Sequence, residues 1–139
     1  MMPNPVNSGP TNIFQLAQRA MSAQSVRMNA AASNLANAGS ASATEEGAYR
    51  PLRPVFAEEL GSASLSGVRV EAVRRAETAP TRVHDPGHPL ADENGDIWMS
   101  PVDENEEMIE MLEASRQYRN MVEALSTAKQ LMLETMRMK

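Results

Sequence analysis

Two segments of the chain, one near each end, repeat apolar residues at helical spacing. The first is predicted to form an N-terminal helix over residues 11–39, with Asn12 as its N-cap, Gln15 three residues later and Gly39 at its end. Its apolar positions alternate in steps of three and four, which is the pattern of a heptad seam interrupted only by Gln24. The seam consists of Phe14, Ala17, Met21, Gln24, Met28, Ala31, Leu35 and Ala38.

The second segment, residues 101–139, is predicted to form the C-terminal helix. Ser100 is the expected N-cap, Pro101 the first helical residue, and Asp103 the residue that completes a capping box. At about 1.5 Å per residue, each helix is roughly 40–55 Å long, and neither can bury its apolar stripe alone. The C-terminal seam is unbroken and consists of Met111, Ala114, Tyr118, Met121, Leu125, Ala128 and Met132.

The segment between the helices, residues 40–100, is predicted to be extended and rich in β-structure. Valines at positions 68, 70 and 73 indicate a strand, although Ala72 breaks strict alternation. Asn94 and Gly95 are typical of a hairpin turn. Residues 39–48 and 61–66 are predicted to be flexible loops, and residues 1–10, with three prolines, a mobile leader. The predicted fold class is mainly α: two long terminal helices forming a coiled-coil-like pair, with a small β-hairpin and loop insert between them.

The composition argues against a compact globular enzyme. The 139 residues include 2 Phe, 2 Tyr and 1 Trp, whereas Ala and 11 Met supply much of the apolar content. Small and pliable residues suit close helix packing better than rigid pockets. There is no Cys, so disulfides and thiolate metal sites are excluded.

The charge is distributed unevenly along the chain. The net charge is -5, and the arginines of the middle segment are interleaved with acids, which disfavours nucleic-acid binding. Residues 1–44 carry two arginines and no acid, whereas residues 101–139 carry eight acids and five bases. Opposite signs favour pairing of the two ends. No apolar run approaches the length of a signal-peptide core or a membrane span, so we expect neither a Sec-type signal nor a transmembrane helix.

The two histidines are the residues that most resemble a chemical site. His84 and His88 are four apart, but Pro86, Gly87 and Pro89 forbid the helix that would bring them together on one metal, so a structured turn is expected. Residues 92–96 alternate oxygen side chains like a calcium loop, yet they lack its glycine and its closing Glu. We therefore expect no catalytic, cofactor-binding or metal-binding residues and no cofactor.

Three separated motifs resemble one protein family. The run Ser33-Asn34-Leu35-Ala36-Asn37 resembles the amino-terminal motif of the flagellar axial proteins, the family of rod, hook and hook-filament proteins. Residues 107–129 are similar to the matching carboxy-terminal motif. In the middle, residues 67–70 and 85–92 resemble the short proximal-rod members in particular, although the family's Tyr-Asp-Pro is His84-Asp85-Pro86 here.

The resemblance implies a structural subunit of the bacterial flagellar basal body that polymerises through its terminal helices into the hollow, torque-transmitting proximal rod. It implies export from the cytoplasm by the flagellar type III apparatus, without a cleaved signal peptide, to the periplasmic rod. The implied partners are other copies of the chain, other rod proteins, the rod-base adaptor at the export gate, and the export apparatus. Nucleic acid and direct membrane insertion are not expected.

The residues expected to pack between subunits lie on both predicted helices. The alternative functions left open are a soluble helical adaptor that captures a partner helix and a small metal hydrolase built around His84 and His88. For the N-terminal helix the predicted packing residues are Phe14, Ala17, Met21, Met28, Ala31, Asn34, Leu35 and Asn37. For the C-terminal helix they are Met108, Met111, Leu112, Ala114, Tyr118, Met121, Leu125, Ala128 and Met132.

Overall fold

The computed structural model describes residues 10–60 and 66–139 of the chain. The predicted mobile leader, apart from residue 10, and nearly all of the predicted loop at 61–66 lie outside the described residues. The elements in chain order are α1 (Pro10–Ala36), β1 (Ala41–Ser42), β2 (Leu52–Leu60), β3 (Ser66–Arg75), β4 (Thr81–His84), β5 (Asp96–Met99) and α2 (Glu104–Arg137).

Helix α1 begins at Pro10, so the prediction that Asn12 caps it is wrong. Proline suits the first turn of a helix because its φ is already helical and its missing N–H would have no partner there. The helix ends at Ala36 and tightens into a turn, in which the N–H of Asn37 donates to the carbonyl of Asn34 at 3.1 Å. Gly39 follows in that turn, as the sequence predicted.

The N-cap of helix α2 lies three residues later than the predicted N-cap, Ser100. This N-cap is Asp103, whose carboxylate accepts hydrogen bonds from the N–H groups of Asn105 and Glu106 at 2.9 and 3.1 Å. Ser100 does not cap the helix. Its N–H donates to the carbonyl of Ser40, and its hydroxyl accepts a hydrogen bond from the N–H of Val102 at 3.4 Å, ahead of the helix. An ionised side chain at the positive end of the helix dipole is also the stronger cap.

The two helices pack side by side in antiparallel directions, since Asn34 of α1 meets Glu107 of α2 while the earlier Arg27 meets the later Glu110. The buried core between and beneath them consists largely of alanine, including Ala31 and the fully buried Ala114. Small side chains allow the two backbones to approach closely. The structure confirms two long terminal helices with a small antiparallel β region between them.

The strands form two separate antiparallel sheets, β1-β5-β4 and β2-β3. The predicted strand around the three valines is β3, and its partner β2 was not predicted. The register shifts between Val55 and Phe56, which pair with Ala72 and Val70 respectively. Glu71 is therefore the extra residue of a bulge, which explains why alternation fails at Ala72. The β2-β3 hairpin lies along α1.

Strands β4 and β5 form a hairpin whose connection is residues 85–95, longer than the two-residue turn that Asn94-Gly95 suggested. Gly95 has a φ of 78°, and a Cβ there would lie 2.9 Å from the Pro86 side chain. The turn residue was thus predicted correctly and the loop length was not. At the opposite edge of this sheet, β1 pairs with β5, and it lies within the segment 39–48 that was predicted to be a flexible loop.

Candidate assembly interface

Asn34 is fully buried where α1, α2 and β2 meet. Its amide nitrogen donates to the carbonyl of Leu52 and to Oε2 of Glu107, both at 3.0 Å. Its amide oxygen accepts from the N–H of Leu52 at 2.7 Å and from the hydroxyl of Tyr49 at 2.8 Å. Asn34 therefore pairs with both backbone groups of Leu52, as a neighbouring strand would, while it also holds α2.

Glu107 is the carboxylate at the centre of this junction, and its side chain is 1% exposed. Arg53 Nη1 lies 2.5 Å from Glu107 Oε1, but the guanidinium is not oriented to donate a directed hydrogen bond to that oxygen. A cavity of about 190 Å³ adjoins the ion pair. A buried ion pair contributes little net stability, but removing one partner leaves an uncompensated charge. We call Asn34, Tyr49, Leu52, Arg53 and Glu107 the junction.

A second ion pair joins the helices one to two turns further along. Arg27 Nε and Nη2 each lie 2.7 Å from Oε1 of Glu110, and both side chains are partly exposed. The hydrogen bond with Glu110 raises the pKa of Arg27 above its ordinary value. Arg27 also donates to Gln24, the polar residue that interrupts the predicted seam. The charge distribution predicted that the basic N-terminal segment pairs with the acidic C-terminal segment, and the Arg27–Glu110 ion pair is a contact of this kind.

The two asparagines of the Asn34-Leu35-Ala36-Asn37 run bind different partners and have different structural roles. Asn34 binds α2 and β2, whereas Asn37 donates from its side chain to the carbonyl of Ser33 at 2.8 Å. That bond satisfies one of the carbonyls left free at the end of a helix. The first asparagine therefore builds the junction and the second ends α1.

The other predicted packing residues near α1 are buried or partly buried. Ala31 is buried, but so are Ala23 and Ala30, which the pattern did not include, so the most buried side of α1 does not coincide with the predicted seam. The partly buried residues of the predicted set are Phe14, Ala17, Met21, Met28, Leu35 and Asn37.

On α2 the predicted residues divide between two faces. Ala114 is fully buried, and six others are partly buried on the same side. Met108 and Leu112 instead lie on the opposite side and are exposed, next to the exposed Ile109. The six partly buried residues are Met111, Tyr118, Met121, Leu125, Ala128 and Met132.

Tyr49, Leu52 and Arg53 are junction residues that the sequence did not reveal. Leu52 takes part through its backbone, and Arg53 lies in a strand that was not predicted, so neither follows a periodic pattern. Tyr49 alone could have been singled out from the sequence, because it is one of the few aromatic residues of the chain. Its hydroxyl lies 3.1 Å from Ser33 Oγ, and the Arg75 guanidinium lies 5.5 Å from the centre of its ring.

The histidine loop forms a structured turn. His84 Nδ1 lies 2.8 Å from Oδ1 of Asp96, and Arg82 pairs with the other oxygen of that carboxylate. These contacts, led by the hydrogen bond with His84, lower the pKa of Asp96. His88 Nδ1 accepts a hydrogen bond from the N–H of Leu90 at 3.1 Å. Within residues 10–60 and 66–139, no three His, Asp or Glu side chains are placed to hold a metal ion.

Neither described helix combines the length and the hydrophobicity that crossing a membrane requires.

Comparison with known proteins gives matches at both ends of the chain. Residues 14–39 match the family model described as flagella basal body rod protein, and residues 93–138 match the model described as flagellar basal body rod FlgEFG protein C-terminal. The chain is 41% identical over 126 residues to the flagellar basal-body rod protein FlgC of Salmonella typhimurium, covering 90% of this chain and 94% of that protein.

The proteins of the same name from Escherichia coli O157:H7 and Yersinia enterocolitica are 42% and 44% identical, with the same coverage. The segments matched by the family models contain α1 from Phe14 onwards and all of α2, the two elements that the junction joins.

Proposed function

The chain belongs to the FlgC family of flagellar basal-body rod proteins, and from this membership we propose that it polymerises through its terminal helices into the proximal rod. It is a structural rod subunit rather than an enzyme. The observation that carries the proposal is that the two family-matched segments, distant in sequence, fold against each other as one antiparallel helix pair. A subunit built this way presents both family-matched ends together to its neighbours.

We further propose that α1 and α2 form a coiled-coil-like pair in the assembled rod. The two seams have heptad spacing, and each contains a buried alanine, Ala31 on α1 and Ala114 on α2. Helices of 27 and 34 residues are roughly 40 and 50 Å long. Long helices held side by side resist twisting and bending, which is what a shaft that transmits torque needs.

The proposed location and partners follow from family membership. The subunit is exported from the cytoplasm by the flagellar type III apparatus and assembles in the periplasm as part of the basal body. Its partners are other copies of itself, other rod proteins and the rod-base adaptor at the export gate. Export through a narrow channel requires the chain to unfold, and a core made largely of alanine, with few large apolar groups, suits such a chain.

Leu125→Glu tests the role of the seam. Leu125 is partly buried on the side of α2 that carries Ala114, so a carboxylate there would be costly to bury, by several kcal/mol. We expect cells with this variant to secrete the subunit, because export does not use the contact, but to fail to complete a rod and to be non-motile. Electron microscopy of basal bodies and a swimming assay measure the result.

Glu123→Gln is the matched control, because Glu123 is exposed on the same helix and its change should leave swimming intact. Normal rods that contain the Leu125→Glu protein would contradict a role for the seam in assembly. Finding the wild-type chain only as a monodisperse monomer outside purified basal bodies would instead favour a soluble helical adaptor.

A further inference from the structure

Strand β3 has an outer edge that no other described strand pairs with. Leu52 of β2 gives both of its backbone groups to Asn34, so it exchanges no hydrogen bond with β3. The alternation of an antiparallel ladder, followed from Leu52 past the bulge at Glu71, identifies the residues of β3 whose N–H and C=O groups point away from β2. They are Val68, Val70, Val73 and Arg75. In the described part of the chain these backbone groups have no hydrogen-bond partner.

The corresponding edge of β2 is closed over its first residues. Asn34 occupies the backbone groups of Leu52, and Pro54 has no N–H to donate. Strand β3 contains no proline in its ten residues, so its outer edge keeps a row of unpaired donors and acceptors. A row of this kind can pair with an extended segment of another polypeptide, which then adds a strand to the sheet.

One face of the hairpin is apolar and exposed beside this edge. Val68 and Val73 are each 46% exposed, and Phe56, which lies opposite Val70, is 38% exposed. These side chains share a face, because directly opposed residues and alternate residues of a strand point to the same side of a sheet. A strand added to β3 extends this apolar face when its own apolar side chains stand at alternate positions.

The other face of β3 carries positive charge that the chain itself does not neutralise. Arg69 and Arg74 are exposed, and neither forms an ion pair with a described residue. Arg74 lies directly opposite Arg53, whose charge is already compensated by Glu107. Acidic side chains between the apolar positions of an added strand would lie beside these arginines and be attracted to them.

We propose that the outer edge of β3 binds an extended segment of another polypeptide in which apolar and acidic residues alternate. The backbone of β3 supplies the hydrogen bonds, and its two faces select the side chains of the segment. Strand β3 of a second copy does not fit, because it carries three arginines and one acid and would bring like charges together. The contact lies on the hairpin and does not depend on how the helix pair assembles.

Fluorescence anisotropy of labelled peptides, titrated with the purified full-length chain, tests the proposal. The probe is a peptide as long as β3 in which valine and glutamate alternate. Two control peptides are one in which lysine replaces glutamate and one in which all the valines precede all the glutamates. We expect the probe to bind about tenfold more tightly than either control. The double variant Arg69→Glu with Arg74→Glu should reverse the preference between the glutamate and lysine peptides.

Val70→Pro tests the edge itself, because it removes an outward N–H that the β2-β3 ladder does not use. We expect it to weaken binding of the probe by about tenfold, with an unchanged circular dichroism spectrum. Val70→Thr keeps the N–H and the β-branched side chain, so this matched control should bind like the wild-type chain. If Val70→Pro did not fold, the double arginine variant would decide through its reversal of preference.

Three results would overturn the proposal. The first is equal affinity for the probe and either control peptide, which would show that alternation or charge plays no part. The second is undiminished binding by folded Val70→Pro, which would place the peptide away from the edge. The third is binding of a peptide of residues 66–75 as tightly as the probe, which would assign the edge to a second copy of the chain.

Discussion

Replacing Asn34 by alanine is expected to remove a large part of the stability of the subunit. The side chain makes four hydrogen bonds in a fully buried position, with the N–H and C=O of Leu52, with Glu107 and with Tyr49. Tyr49 keeps a partner in Ser33, and the carbonyl of Leu52 keeps one in Arg53 Nη1 at 3.4 Å. The N–H of Leu52 and Oε2 of Glu107 are therefore the two groups that lose their partner. An unsatisfied buried group costs about 1–3 kcal/mol, which gives roughly 2–6 kcal/mol for two groups.

Water entering the neighbouring cavity reduces this sum, and we expect Asn34→Ala to lower the free energy of unfolding by about 2–4 kcal/mol. Domains of this size are stable by only about 5–15 kcal/mol, so the variant should be partly unfolded or close to it. Asn34→Asp should be at least as damaging, because it replaces the donating nitrogen with a second negative oxygen beside Glu107.

Urea unfolding followed by circular dichroism measures the effect. Asn29→Ala is the matched control, since Asn29 lies on the exposed side of the same helix and its replacement should change stability by no more than about 0.5 kcal/mol. If Asn34→Ala remained within 1 kcal/mol of the wild-type protein, the junction would not hold the helices and β2 together as its hydrogen bonds indicate.

Two further outcomes are expected. Brief proteolysis of the dilute monomer should first trim the chain ends, including the last turns of α2 where Leu131, Leu133 and Met136 are exposed, and should spare parts of residues 49–100. Mass spectrometry of the fragments checks this, and uniform resistance of the full-length chain would contradict it. Because His84 and Arg82 lower the pKa of Asp96, its ionised form stabilises the fold above the ordinary pKa of about 3.9, and this contribution is lost as pH falls through the lowered value. Thermal unfolding should therefore show that Asp96→Asn destabilises the protein at pH 7 more than near pH 2, and an equal effect at both pH values would refute the assignment.

The sequence predicted the helices well because their signals are local. Apolar residues at steps of three and four predict each helix without knowledge of its partner. On α2 the predicted seam includes the buried Ala114, whereas on α1 the buried Ala23 and Ala30 lie outside the predicted seam. The strand β3 was also predicted, and its one irregular position, Ala72, corresponds to the bulge at Glu71. The start of α2 was missed for a physical reason. Ser100 and Asp103 are both residue types that favour N-cap positions, and the ionised Asp103 caps the helix while Ser100 joins the backbone of Ser40.

The junction could not be predicted in the same way, because its members come from four separate parts of the chain. Asn34 was named as a packing residue on the strength of a family motif, but nothing near it in sequence indicates that its amide binds both backbone groups of Leu52. Glu107 is one of the eight acids of residues 101–139, and nothing near it in sequence distinguishes it from the others. Its partners, Asn34 and Arg53, come from distant parts of the chain.

Helical periodicity also leaves open which chain supplies the partner helix. A heptad stripe shows that a side of a helix is covered, and the sequence left open whether the other terminal helix, another subunit or both cover it. In the structure the α2 stripe includes the fully buried Ala114, while Met108 and Leu112, predicted together with it, lie on the far side of α2 and are exposed. A rod subunit needs both kinds of surface, because an inner one aligns its two ends and an outer one extends the assembly. Leu125→Glu changes the stripe and leaves the far side of α2 intact, so failure of this variant to form a rod would be a failure of the stripe.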